Sequence, residues 1–200
     1  SLYSGTNVYR HDLQETNATL QNTLVATNAL APAPSADGQV IAYRSATKPY
    51  QVYVRDLASN TVELISACPD GITPGNASSD NPQISPDGRF VLFASKASNL
   101  LPYDRNPYTD IFLRDRKLGV TYLLSANPKT GRSGNAPSVT PAFSADGSTI
   151  AFASIASDLV AGDFSASRDV FVAKLTMGDR DGDGMDDAWE MAYFGNLNRD

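Results

Sequence analysis

The sequence predicts an all-β fold, a β-propeller of four-stranded antiparallel blades, with about three and a half blades in its 200 residues. Three observations predict it. First, the tetrapeptide Ser-x-Asp-Gly occurs three times, as Ser35-Ala36-Asp37-Gly38, Ser85-Pro86-Asp87-Gly88 and Ser144-Ala145-Asp146-Gly147. Second, an apolar strand-like run follows each copy: Val40-Ile41-Ala42-Tyr43, Phe90-Val91-Leu92-Phe93 and Ile150-Ala151-Phe152-Ala153. Third, a further apolar run ending in charge closes in behind: Val52-Tyr53-Val54-Arg55-Asp56, Ile111-Phe112-Leu113-Arg114-Asp115 and Val170-Phe171-Val172-Ala173-Lys174.

Each unit reads in the same order. A short strand leads into the Asp-Gly turn, where glycine supplies the positive φ of a tight hairpin. The second and third strands are the runs just named. A fourth follows in Thr61-Val62-Glu63-Leu64-Ile65-Ser66 and in Thr121-Tyr122-Leu123-Leu124-Ser125, with Asn60 and Gly119 marking the turns before them. At the start, Val8-Tyr9-Arg10-His11-Asp12 matches a third strand and Thr23-Leu24-Val25-Ala26 a fourth. The expected inventory is a half blade, two full blades and one nearly complete blade, over residues 1–175. Open blade edges expose unpaired backbone groups. They are expected to be completed by chain outside these residues or by strand addition from another protein or another copy of the chain.

Pro82-Gln83-Ile84-Ser85-Pro86-Asp87-Gly88-Arg89-Phe90, followed by the Asp-Ile-Phe of residues 110–112, resembles the WD40-like repeat of the TolB family. The resemblance covers roughly residues 5 to 175. It implies a propeller and leaves activity open, because that architecture serves many unrelated roles. Related propellers act in partner binding, gate peptidases or host carbohydrate lyase sites.

Composition limits the partners. The formal net charge is -6 and the isoelectric point is near 4.7. Nucleic acid, which needs a basic footprint, is disfavoured, and cations suit the balance. No apolar run has the length of a membrane span. The chain opens at Ser1, without an initiator Met or a signal peptide, as a processed chain or a fragment would. The lone Cys68 reads as a small buried or loop thiol, with pairing between molecules open to it in a secreted chain. The lone His11 sits in a predicted strand beside Asp12, an unsuitable setting for a Ser-His-Asp triad. Asn17-Ala18-Thr19 and Asn76-Ala77-Ser78 are glycosylation sequons of low specificity.

The units differ in one place. Asp56, Asp115 and Lys174 fall at a constant interval, whereas Asp12 and Asp56 are closer together. The two later blades therefore carry an insertion between strands two and three. The insertions match: Asp104 aligns with Asp163, Asn106 with Ser165, and Asp110 with Asp169. An Asp-x-Asn/Ser-x-x-x-Asp loop gathers oxygen ligands suited to a hard cation such as calcium. The competing reading is that these residues cap turns through their own backbone.

After Leu175 the character changes, and residues 176–200 read as a separate calcium-binding segment. Asp179, Asp181 and Asp183 occupy positions 1, 3 and 5 of a twelve-residue EF-hand loop, with Gly184 at position 6. Met185 would offer its carbonyl at position 7, Asp187 lies at position 9, and Glu190 closes the shell at position 12. A short helix over residues 187–194 is expected to follow. Position 8 is Asp186 where an apolar residue is usual, and a strand precedes the loop where a helix is usual. The segment thus resembles dockerin-like and thrombospondin type 3-like extracellular calcium loops. Calcium there would neutralise five acidic side chains and stiffen the exit from the blades.

These readings converge on a non-catalytic, secreted or cell-surface, calcium-binding propeller. It would act as a structural or protein-interaction module, able to assemble into a polymer through its open edges. Two alternatives remain: the propeller part of a larger secreted enzyme, a peptidase or a carbohydrate-active one, and a periplasmic partner-binding protein of the TolB type.

Overall fold

The computed structural model describes residues 5–17, 21–163, 165 and 167–175. The expected C-terminal calcium-binding segment, residues 176–200, lies outside them. The described residues form thirteen strands in four antiparallel sheets. A two-stranded sheet holds β1 (Val8–His11) and β2 (Asn22–Ala26). Blade 1 is β3 (Ala29–Pro34), β4 (Val40–Ser45), β5 (Val52–Asp56) and β6 (Thr61–Leu64), in that spatial order. Blade 2 repeats it with β7 (Ser79–Ile84), β8 (Phe90–Ser95), β9 (Asp110–Asp115) and β10 (Val120–Leu123). Blade 3 has β11 (Ser138–Phe143), β12 (Thr149–Ser154) and β13 (Asp169–Lys174). The half blade, two full blades and the nearly complete one are as the sequence predicts. The fourth strands end earlier than expected. Ile65 and Ser66 bend off β6 while both backbone amides reach the Val52 carbonyl, at 2.9 and 3.3 Å.

The Ser-x-Asp-Gly turns are built by their own side chains. Ser35 Oγ donates to Asp37 Oδ1 at 2.6 Å and accepts from the Val40 amide at 3.0 Å. Ser85 does the same with Asp87 and Phe90, at 2.5 and 2.9 Å. Gly38, Gly88 and Gly147 all adopt positive φ, between 65° and 75°. The serine hydroxyl thus spans the turn, and the glycine supplies the backbone reversal.

The first strand of every blade carries a bulge that the sequence did not announce. The register shifts after Leu30, Asp80 and Val139, and Ala31, Asn81 and Thr140 each have φ of 52°. A proline follows each of them, Pro32, Pro82 and Pro141. Proline cannot donate to a ladder, so it is placed where the ladder is already broken, on a strand at the sheet edge.

Blades pack face to face with a fixed sense. One face of each blade carries a stacked aromatic pair: Tyr43–Tyr53, Phe93–Phe112 and Phe152–Phe171, with ring centroids 5.8, 5.6 and 5.5 Å apart. That face turns toward the preceding sheet. Phe93 and Phe112 share a core with Val52 and Val54 of blade 1. Phe152 meets Leu92, Ile111 and Leu113 of blade 2. Tyr43 packs with Val8 and Val25 of the first hairpin. β8 and β9 are buried on both faces because blade 2 has a neighbour on each side. In blade 3, Val170 and Val172 occupy the positions of Ile111 and Leu113, yet are 72% and 69% exposed.

Candidate functional site

The inserted loops are anchored by leucines, Leu100 with Leu101 in the first and Leu159 in the second. Leu100 is fully buried in the core between blades 1 and 2, and Leu159 is buried in the core between blades 2 and 3. From Leu100 the chain turns back through a hydrogen bond between the Asp104 amide and the Leu101 carbonyl, 3.2 Å long. This places Asp104 and Asp110 at the junction of blades 2 and 3. The same junction is closed by the Ser138 amide on the Thr109 carbonyl at 2.7 Å.

Of the first loop's three predicted ligands, two are buried carboxylates. Asp104 is 3% exposed and Asp110 is 0% exposed. Asp110 Oδ1 accepts from Ser125 Oγ at 2.6 Å. Asp110 Oδ2 and Asp104 Oδ1 are buried with no hydrogen-bond donor. Burial pushes Asp110 up to about 7; hydrogen bonding from Ser125 and from the Asn106 side chain opposes the rise, and the Asp104 and Asp158 charges add to it. Burial also raises Asp104, against hydrogen bonds from Ser133 and from the Asn106 backbone. Both shifts have one physical origin. A carboxylate removed from water favours its neutral form until an opposite charge arrives.

Asn106 lies beside both carboxylates and also fastens the loop. Its Nδ2 donates to the Gly134 carbonyl at 2.9 Å, and its Oδ1 accepts from the Tyr108 amide at 2.6 Å. It ties the loop to blade 3 and caps its own turn.

The second loop keeps the sequence pattern but not the burial. Asp169 and Ser165 are exposed, and Asp163 is half-buried. Asp163 Oδ1 accepts from the Ser165 amide at 2.9 Å, and Ser165 Oγ donates to Asp169 Oδ2 at 3.2 Å. The turn-capping reading describes these three residues. Among the described residues no three or more His, Cys, Asp and Glu side chains form a group that could hold a metal ion.

Sequence reasoning missed the partners that come from elsewhere in the chain. Ser125, Ser133 and Gly134 belong to the segment leading from blade 2 into blade 3 and carry no metal signature. Their equivalents, Ser66 and Gly75 in blade 1, reveal the pattern only once the blades are superposed by repeat. Asp158, the position after Ser157, is also engaged: Oδ1 accepts from the Asn135 amide at 2.9 Å and Oδ2 from Asn127 Nδ2 at 3.0 Å. Asn99 takes that place one blade earlier, accepting from the Asn76 amide at 2.8 Å and donating to Cys68 Sγ at 3.1 Å. Cys68 is buried as expected; burial, then the Asp70 charge, raises its thiol. His11 lies in β1 and pairs through Nδ1 with Asn22 Oδ1 at 2.8 Å.

Neither family models nor curated proteins give a match to this chain. Solved structures do. TolB from Acinetobacter baumannii superposes with a TM-score of 0.50 at 21% identity, over 90% of this chain and 36% of that one. The tricorn protease gives 0.51 at 19% identity, over 74% of this chain and 14% of that one. The putative TolB from Agrobacterium tumefaciens gives 0.50 at 18% identity, over 77% of this chain and 49% of that one. The chain thus spans less than half the length of each of these structures. At such identities the likeness is one of fold, and it agrees with the sheet order and blade packing described above. The chain folds as β-propeller blades.

Proposed function

We propose that this chain is a non-catalytic, calcium-binding propeller module that presents a rigid surface to protein partners outside the cytoplasm, at the cell surface, in secretion or in the periplasm. The observation that carries this reading is the use made of its buried polar side chains. They fasten strands to strands and blades to blades. Ser79 Oγ meets Ser95 Oγ at 2.9 Å, and Ser138 Oγ meets Ser154 Oγ at 2.9 Å. Gln51, Ser66, Asp110 and Ser125 are engaged at blade junctions. Side chains so committed build a scaffold, and a scaffold acts through its surface.

The calcium component rests first on residues 179–190, which match the full EF-hand loop pattern. Extracellular modules of this type bind at about 0.1 to 1 mM, which suits an exterior compartment. On this reading residues 1–175 form the blades and 176–200 a calcium-bound extension. Self-assembly through the edge of β13, which has no partner strand on that side among the described residues, would extend the same role to a polymer by strand addition.

A second reading is favoured by the likeness to the tricorn protease: the blades would then be part of a larger enzyme. One set of measurements separates the two. The purified chain with calcium is expected to show no turnover of peptide or polysaccharide panels, and to associate in light scattering as its concentration rises. A strictly monomeric species at all concentrations would remove the polymer. Calorimetric titration with no heat at millimolar calcium would remove the calcium segment. Turnover by the chain itself would remove the non-catalytic reading.

A further inference from the structure

The repeat supplies its own control for the Asp104–Asp110 junction. The position of Asp110 in blade 2 is held by Gln51 in blade 1. There the amide is fully used. Its Oε1 accepts from Ser66 Oγ at 2.5 Å, and its Nε2 donates to the Gly75 carbonyl at 2.9 Å and to the Ala77 carbonyl at 3.4 Å. An N–H donor thus fills the space between two backbone acceptors.

Blade 2 keeps this framework and changes the side chain. Ser125 Oγ donates to Asp110 Oδ1 at 2.6 Å, as Ser66 does to Gln51. The amide that Ser66 accepts from Val52 at 3.0 Å becomes the Ile111 amide on Ser125, again at 3.0 Å. Gly134 donates its amide to the Ser125 carbonyl at 2.9 Å, as Gly75 does to Ser66 at 2.9 Å. Gly134 and Ala136 stand in the sequence where Gly75 and Ala77 do. The amide donor, however, has become a carboxylate. Asn106, brought in by the insertion, takes over the Gly134 carbonyl at 2.9 Å. No donor reaches Asp110 Oδ2, and none reaches Asp104 Oδ1, which the same insertion brings to the junction. Two buried anionic oxygens without donors are costly unless a positive charge joins them.

We propose that Asp104 and Asp110 hold one divalent cation, calcium, at the junction of blades 2 and 3, in the role that the Gln51 amide plays in blade 1. The donor set is all oxygen: two carboxylates, the Ser133 hydroxyl beside Asp104, and backbone carbonyls and water for the remainder. Hard cations that tolerate irregular, neutral-rich shells suit such a set, and calcium does so better than magnesium. The insertion therefore turns a permanent amide clamp into a metal-dependent one. Blade 3 does not reproduce it, because Asp163 and Asp169 spend oxygens on Ser165. The inference deepens the calcium part of the proposed function, but it stands on residues separate from 179–190.

The test is made in the whole chain with Asp181→Ala and Glu190→Ala, which removes the C-terminal loop as a source of binding. Equilibrium dialysis is expected to find one calcium per chain. Melting should rise by roughly 3–6 °C at about 10 mM calcium if the site binds near 1 mM. Adding Asp110→Gln, which copies blade 1, should abolish calcium uptake and the calcium response, and should raise the metal-free melting temperature above that of its parent. Asp104→Asn should also abolish uptake, and it supplies the dialysis result if the Gln variant does not fold. Unchanged uptake in Asp104→Asn, or no uptake by the parent, would overturn the inference. In the latter case, calcium binding by the chain with its C-terminal loop intact would leave the proposed function standing.

Discussion

Arg89 grips Asp115 through two nitrogens, with Nη2 2.6 Å from Oδ2 and Nε 3.0 Å from the same oxygen. The pair joins the start of β8 to the end of β9. Asp115 is 2% exposed, and its Oδ1 also caps the following turn through the Lys117 amide at 2.8 Å. Hydrogen bonding to Asp115 raises the Arg89 guanidinium above its ordinary value. Arg89→Ala would strand a buried carboxylate, so a loss of about 2–3 kcal/mol is expected, below the full cost of breaking a buried pair because Arg89 itself is partly exposed. Arg89→Lys should keep the charge, lose the fork, and cost about 1 kcal/mol. Urea denaturation checks both; equal stability of Arg89→Ala and the parent would show that the pair adds nothing.

The same repeat position should answer differently in different blades. Leu113 is fully buried between blades 2 and 3, whereas Val172, its equivalent, is 69% exposed. Leu113→Ala is expected to cost about 2–5 kcal/mol through lost burial and a cavity. Val172→Ala should stay within about 0.5 kcal/mol in this chain. Parallel denaturation curves of the two variants decide the matter, and comparable losses would contradict the packing described.

Gly134 is required by closeness rather than by backbone angle. A Cβ there would lie 2.8 Å from Leu159 Cδ2, 3.2 Å from Ala156 Cβ and 3.2 Å from the Ser125 carbonyl. Gly134→Ala should therefore push the Leu159 anchor and the blade 2–3 junction apart, at about 1–3 kcal/mol. Gly131, with φ of 65° and nothing near its Cβ position, should lose less on the same change. Thermal melts of the two variants give the comparison.

The turn aspartates predict an acid limb. Asp146 is held down to about 2 by hydrogen bonds, first from Ser144, then from the Ser148 amide and hydroxyl. A depressed carboxylate contributes stability above its unfolded value of 3.8, and that contribution is lost as pH falls toward about 2. Side-chain carbon shifts in NMR should show Asp146 titrating near 2. Ser144→Ala should move the midpoint up toward the ordinary value, and an unmoved midpoint would assign the shift elsewhere.

Much of this fold was legible because its repeat is written in local chemistry. A Ser-x-Asp-Gly turn closes on itself, so β4 and β8 begin where the sequence placed them and β12 one residue earlier, at Thr149. The bulges at Ala31, Asn81 and Thr140 were not legible. They show only as a left-handed residue before a proline, and single-residue φ is set by ladder geometry across strands. The candidate site was half legible. Asp104 and Asp110 stood out by type and spacing, but their burial comes from Leu100 and from a segment more than fifteen residues downstream. The twin loop keeps the aspartate spacing, yet Asp163 and Asp169 are capped by Ser165 and are not buried.

The aromatic pair on one face and the aliphatic row on the other give every blade a front and a back. Tyr43 with Tyr53, and Phe93 with Phe112, always look backward, while Val52 with Val54, and Ile111 with Leu113, look forward. Each junction is thus a plug meeting a socket, and never a plug meeting a plug. Such a part can be copied in tandem without inventing a new fit, since every duplicate arrives with both connectors. A blade inserted in reverse would meet its own kind on both sides. Ring size in this architecture is accordingly a matter of counting, open to change by whole units of chain, whereas the direction of travel around the axis is locked into each unit.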